Sequence, residues 1–133
     1  MTKNYISTNL LFELLKSEKK KRKELEEFLK NKLKKAESFS TSVYSLTKIL
    51  ESEKDKSEVI LQSFEGFFDR ILPFDLKMIQ TSLKLEKEFK LEKEESIQLA
   101  ICLNNSIDKI IGYGENFNSQ KLIPFLDLCL KSK

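Results

Sequence analysis

The chain has no histidine and no tryptophan, and its two cysteines, Cys102 and Cys129, stand too far apart for a CxxC pair. The missing histidine excludes His-based acid–base chemistry, Ser-His and Cys-His nucleophile systems, and zinc sites built from Cys and His together. Two thiols inside apolar runs read as small buried hydrophobes of a reducing compartment, not as a disulfide framework. Long apolar runs are lacking too. No stretch approaches the roughly 18 apolar residues of a spanning helix, and the short patch near Leu10 has no small-residue cleavage site after it. The expectation is a cytoplasmic protein with no membrane partner. Glycine and proline are scarce, three and two in 133 residues, and neither occurs between Met1 and Glu65.

What fills that first half is Leu, Lys and Glu, all good helix formers, so the segment reads as helix, with Ser7-Thr8-Asn9 as its capping start. Alternating steps of four and three from Leu11 to Ile71 pass eighteen positions, and thirteen are apolar, where a composition of 40% apolar residues gives about seven. That is the pattern of a heptad seam. Residues 51–58 carry no apolar side chain, and Asp55 with Glu58 could cap a new helix there. The chain from 1 to 72 is therefore either one long helix or a helical hairpin. The preserved phase of the seam favours the long helix. Pro73 ends it, a second helix runs from about Phe74 to Glu88, and the charged near-repeat at 84–95 continues as solvated helix. Residues 97–111, apolar almost all round, read as the most buried helix, stopped by Gly112-Tyr113-Gly114. A short last helix spans about Leu122 to Leu130. The fold class expected is all-α: one domain, 1–133, with a long heptad-bearing helix and a short-helix bundle at 73–133, or a compact four- or five-helix bundle.

Few residues suggest chemistry. The run Lys19, Lys20, Lys21, Arg22, Lys23 could meet a polyanion, and residues 1–35 carry 11 basic and 5 acidic side chains. Aromatics are not interleaved with it, so a solvated helix face is the competing reading. Asp69, Asp75, Asp108 and Asp127 fall on different expected elements and form no catalytic pair. Residues 112–118, GYGENFN, lack the spacing and the following Lys-Ser/Thr of a phosphate loop and read as a helix-ending turn. The expectation is no catalytic residue, no metal, no cofactor and no small-molecule substrate.

A seam-bearing helix reaching Ile71-Leu72-Pro73-Phe74-Asp75, followed by Leu103-Asn104-Asn105-Ser106-Ile107-Asp108-Lys109-Ile110 and Tyr113-Gly114, resembles the helical part of the GrpE family. The likeness covers about half the chain. It implies a dimeric scaffold of the kind that serves DnaK-type chaperones as nucleotide exchange factor, without the family's β-domain. Asp75 comes one residue early after Pro73, and Gln80 stands where that family favours a small residue.

The function expected is a non-enzymatic helical interaction module, a GrpE-like co-chaperone or adaptor. It would pair as a homodimer through Leu25, Leu29, Val43, Leu46, Leu50, Ile60, Phe64 and Phe67. The alternatives are a basic nucleic-acid-binding helical subunit and a small immunity- or inhibitor-type bundle.

Overall fold

Residues 5–6 and 110–111 are buried and turn alternate side chains into two separate cores. Tyr5 and Ile110 enter one, Ile6 and Ile111 the other. That is the two-residue alternation of strands covered on both faces, not the stripe of a helix. The computed structural model describes residues 2–16, 18–52, 55, 57–64 and 66–131. In chain order these form β1 (Thr2–Ile6), α1 (Thr8–Lys16), α2 (Lys19–Lys34), β2 (Glu37–Ser42), α3 (Val43–Ser52), α4 (Ser57–Ser63) and β3 (Arg70–Leu72). After them come α5 (Leu76–Phe89), α6 (Lys93–Asn104), β4 (Lys109–Gly112), β5 (Phe125–Asp127) and α7 (Leu128–Lys131).

The strands form one five-stranded sheet in the order β3-β2-β1-β4-β5, every neighbouring pair parallel. Tyr5 sits opposite Ser40 on one side and Ile110 on the other. Met78 and Leu85 of α5 with Leu99 and Ile101 of α6 cover one face. Leu10, Leu11 and Leu14 of α1, Leu25 and Leu29 of α2, and Ile49 of α3 cover the other. Each such side chain removed from water contributes roughly 1.5–3 kcal/mol before chain entropy is counted.

The all-α expectation is therefore overturned, together with the long helix, the coiled coil and the helical bundle. The first helical stretch is broken by β2, and the break needs no glycine. Ala36 turns the chain at φ +61°, and Lys90 and Ser106 do the same at +54° each. These left-handed residues do the work that the sequence pattern assigns to Gly or Pro. The seam keeps phase across β2 because Phe39 and Val43 fall at a four-residue step, although one lies in a strand and the other opens a helix. The buried helix expected at 97–111 ends at Asn104, and its last isoleucines belong to β4. Residues 70–72, expected as a helix end, form an edge strand, and the helix expected at 122–130 is replaced by β5 at Phe125–Asp127 and is helical only from Leu128 on, as α7. The helix expected from Phe74 is present as α5, capped by Asp75, whose Oδ1 accepts from the Met78 amide at 3.0 Å. The proposed break at 51–58 lies partly outside the described residues.

Candidate functional site

In an open parallel sheet a ligand crevice forms beyond the carboxyl ends of two neighbouring strands whose connections run to opposite sides. Here those strands are β1 and β4, because the chain leaves β1 towards β2 and β3 and then returns to β4 on the far side. Ser7, Thr8 and Asn9 follow β1, and Tyr113, Gly114 and Glu115 follow β4. Two polar clusters form there.

The first is built on Glu115, only 7% exposed. Its Oε1 accepts from Ser7 Oγ at 2.7 Å and from the Tyr113 amide at 2.9 Å, and its Oε2 from the Asn9 amide at 3.1 Å. Ser7 Oγ also accepts from the Leu10 amide at 3.3 Å, and Asn9 Nδ2 donates to the Tyr113 carbonyl at 3.2 Å. The carboxylate thus lies on the Asn9 amide in the first turn of α1, at the positive end of its dipole. Burial pushes the Glu115 carboxyl above its usual range, outweighing the three donors that favour the charged form. Gly112 makes room for this arrangement. A Cβ there would stand 2.5 Å from Glu115 Oε1, 2.7 Å from the Phe125 ring and 3.0 Å from Ser7 Oγ.

The second cluster centres on the Tyr5 hydroxyl. It donates to Gln98 Oε1 at 3.2 Å and meets Ser42 Oγ at 2.8 Å and Ser45 Oγ at 2.9 Å. Gln98 Oε1 also accepts from the Thr8 amide at 3.0 Å, and Thr8 Oγ1 meets Ser45 Oγ at 2.7 Å. All five residues are buried. Burial, with Cys102 beside it, pushes the Tyr5 hydroxyl far up, so it stays protonated and serves as a donor. β1, β2, α1, α3 and α6 are thereby joined through neutral groups.

Other carboxylates near the crevice are already engaged. Asp127 Oδ1 accepts from the Gly114 amide at 2.9 Å and the Cys129 amide at 3.0 Å, and Glu95 Oε1 from the Asn116 amide at 3.4 Å. Among the described residues no three His, Cys, Asp or Glu side chains could hold a metal ion together.

A separate groove of about 550 Å³ lies between α1, α2 and the residues after α4. Leu14, Leu15, Leu29, Leu33, Phe64 and Phe67 form its apolar walls, and Lys19, Arg22, Lys23 and Lys30 stand at its rim with Glu26. Phe67 stacks on Phe39 at 5.3 Å and meets Phe68 edge-on at 4.9 Å, which fixes one wall.

The basic run divides between these places. Lys19, Arg22 and Lys23 line the groove, Lys20 is exposed, and Lys21 Nζ lies 4.5 Å above the Tyr113 ring while pairing with Glu13 at 3.3 Å. The expected seam is scattered. Leu25 and Leu29 are buried in this chain's own core, Phe64 and Phe67 are half-buried beside it, Leu46 and Leu50 are half-buried, and Val43 is 49% exposed. The Ile60 side chain lies outside what is described. The turn at 112–118 follows a strand, not a helix. Ser7 caps the first helix by accepting from the Leu10 amide, whereas Asn9, expected as the cap, lies inside α1 and donates its side chain to the Tyr113 carbonyl; Tyr5, Ser45 and Gln98 carry no motif that singles them out.

No family model matches the sequence, and no curated protein matches it. Solved structures do match in fold. A chain of a toxin–antitoxin complex from Klebsiella pneumoniae aligns with a TM-score of 0.63 at 19% identity, over 92% of this chain and 95% of that one. A chain of VapBC2 from Rickettsia felis, solved bound to a DNA fragment from its promoter, aligns with a TM-score of 0.70 at 12% identity, over 95% of this chain and 98% of that one. The fold is α/β, the one these chains share. The GrpE resemblance is overturned, since the motifs that carried it fall on strands and turns of a sheet which that helical scaffold lacks. The adaptor reading and its nucleic-acid-subunit and immunity-bundle alternatives rested on an all-α scaffold and fall with it, and the exclusion of enzymes, drawn from missing acid–base, metal and cofactor motifs, is overturned by the fold match to toxin–antitoxin chains. No helix among the described residues is long and apolar enough to cross a membrane.

Proposed function

We propose that this chain is a VapC-like, toxin-type protein of the ribonuclease class, acting on RNA and restrained by a protein partner. The observation that carries the reading is a fold correspondence running through 95% of this chain and 98% of a toxin–antitoxin chain, not through one shared motif. The groove between α1 and α2 supports the control element. Its apolar walls suit the leucine face of an amphipathic segment, and its four basic rim residues suit an acidic opposite face. The same lysines are the natural contacts for RNA phosphates, so a bound acidic partner would mask them. Self-association is assigned in this reading to α5, where Leu76, Ile79 and Leu83 are exposed at successive helical turns. Such a protein would work in the cytoplasm.

Phosphodiester hydrolysis by nucleases commonly uses divalent cations held among carboxylates. The residues at the strand ends do not fit that group. One buried carboxylate with its oxygens already bonded, and a set of serine, threonine and tyrosine hydroxyls, do not make such a donor set. No step of the reaction is routed through a metal here.

The test joins expression of the chain in a bacterial host with titration of the purified protein against single-stranded RNA. Growth arrest with new, position-specific RNA ends is expected, together with salt-dependent RNA binding. Replacing Lys19, Arg22 and Lys23 by Gln should flatten the salt slope by about 2 units, at about 0.7 per phosphate contact on single strands. A folded protein that neither slows growth nor binds RNA would refute the reading.

A further inference from the structure

We infer that the crevice between β1 and β4 takes no divalent cation, and that its strand ends are bridged instead by hydroxyls, backbone amides and the buried carboxylate of Glu115. Hard cations such as Mg²⁺ and Mn²⁺ need an octahedron of oxygen donors with negative charge among them. The groups here have the wrong charge and the wrong direction. Ser7, Ser42, Ser45 and Ser96 are neutral and buried at the ends of β1 and β2, at the start of α3 and in the first turn of α6. Ser96 Oγ is spent on the Lys93 carbonyl at 2.8 Å. Both oxygens of Glu115 face N–H or O–H hydrogens, and the positive end of α1 lies behind two of those donors. A cation approaching that carboxylate would meet the donors' partial positive charge and displace all three bonds.

Space argues the same way. Glu115 is packed so closely on Gly112 that a methyl group at residue 112 would stand 2.5 Å from Oε1. The three donors already do what a bridging ion does elsewhere. Two of them, Ser7 Oγ and the Asn9 amide, hold the turn after β4 against the start of α1, through residues more than 100 positions apart in the chain. On the other side the Tyr5 hydroxyl joins β1, β2 and α6 without any formal charge.

This inference rests on the donor set and not on the RNA-directed reading, so the two can fail separately. The experiment is paramagnetic broadening of backbone amide resonances in the unmodified protein on titration with Mn²⁺ to about 1 mM, the weak end of protein sites for such ions. The amides of Asn9, Tyr113 and Gly114 are expected to keep their intensity, and the melting temperature to be the same in EDTA as in excess Mg²⁺. Broadening confined to exposed carboxylates elsewhere would equally leave the crevice metal-free. Saturable broadening of Asn9, Tyr113 and Gly114 that EDTA reverses would overturn the inference, whatever the RNA assays show.

Discussion

Gly112→Ala is the sharpest perturbation this geometry offers, because it adds one carbon at the point where β4, α1 and Glu115 meet. The added Cβ would lie 2.5 Å from Glu115 Oε1, 2.7 Å from the Phe125 ring and 3.0 Å from Ser7 Oγ. The first two separations are closer than real Cβ contacts allow, so the carboxylate and the ring must move. Phe125 is packed on Phe117 with centroids 5.0 Å apart and cannot swing freely, so the carboxylate is the group that yields. Moving it weakens three hydrogen bonds to a charged acceptor, each worth about 1.5–3 kcal/mol, and overpacking adds about 1–3 kcal/mol. With partial relaxation the expected loss is about 3–5 kcal/mol, a large part of the roughly 5–15 kcal/mol that holds a domain of this size. Urea unfolding reads it directly, and amide exchange at Asn9 and Tyr113 should accelerate in the variant. Glu115→Ala in the same chain removes the carboxylate half of the clash. The double variant should therefore lose at least about 1 kcal/mol less than the two single losses added. A Gly112→Ala protein within about 0.5 kcal/mol of the parent, the ordinary scatter of a harmless surface change, would refute the packing argument.

Three further expectations follow from the same structure. Since burial raises the Glu115 carboxyl, the folded state holds that proton more tightly than the unfolded chain does. Its contribution is fullest below the ordinary value of 4.5 and is lost as pH rises through the raised one, so the stability of the parent relative to Glu115→Gln should fall across that window; a rise would contradict the burial term. Tyr5→Phe keeps the ring but strands Ser42, Ser45 and Gln98, and should cost about 1–3 kcal/mol in urea unfolding, with no loss if the hydroxyl cluster is not a closed unit. Ile79→Asp, on the 41% exposed face of α5, should leave the melting temperature nearly unchanged and convert a dimer to a monomer by light scattering; an unchanged mass would remove α5 as the self-association face.

Some of the fold was legible in local chemistry. Asp75 caps α5 where the sequence places a helix start, and Ser7 accepts from the Leu10 amide at the head of α1. The strands were not legible, because each spans only three to six residues. Over so short a length a buried strand and one turn of buried helix carry the same apolar letters, as Ile107, Ile110 and Ile111 illustrate. The turns were hidden for a different reason: Ala36, Lys90 and Ser106 take left-handed conformations that only packing around them can impose.

By itself, then, the sequence determined that there is no histidine chemistry, where several helices lie, and that positive charge gathers in the first 35 residues. Tertiary structure decided that the apolar stripes close on a parallel sheet and not on a second helix. It also decided that Glu115 meets Ser7 across 108 residues and Tyr5 meets Gln98 across 93. Local preference acts over a few residues, whereas the crevice is made where strand order reverses, and that order is a property of the whole chain's packing.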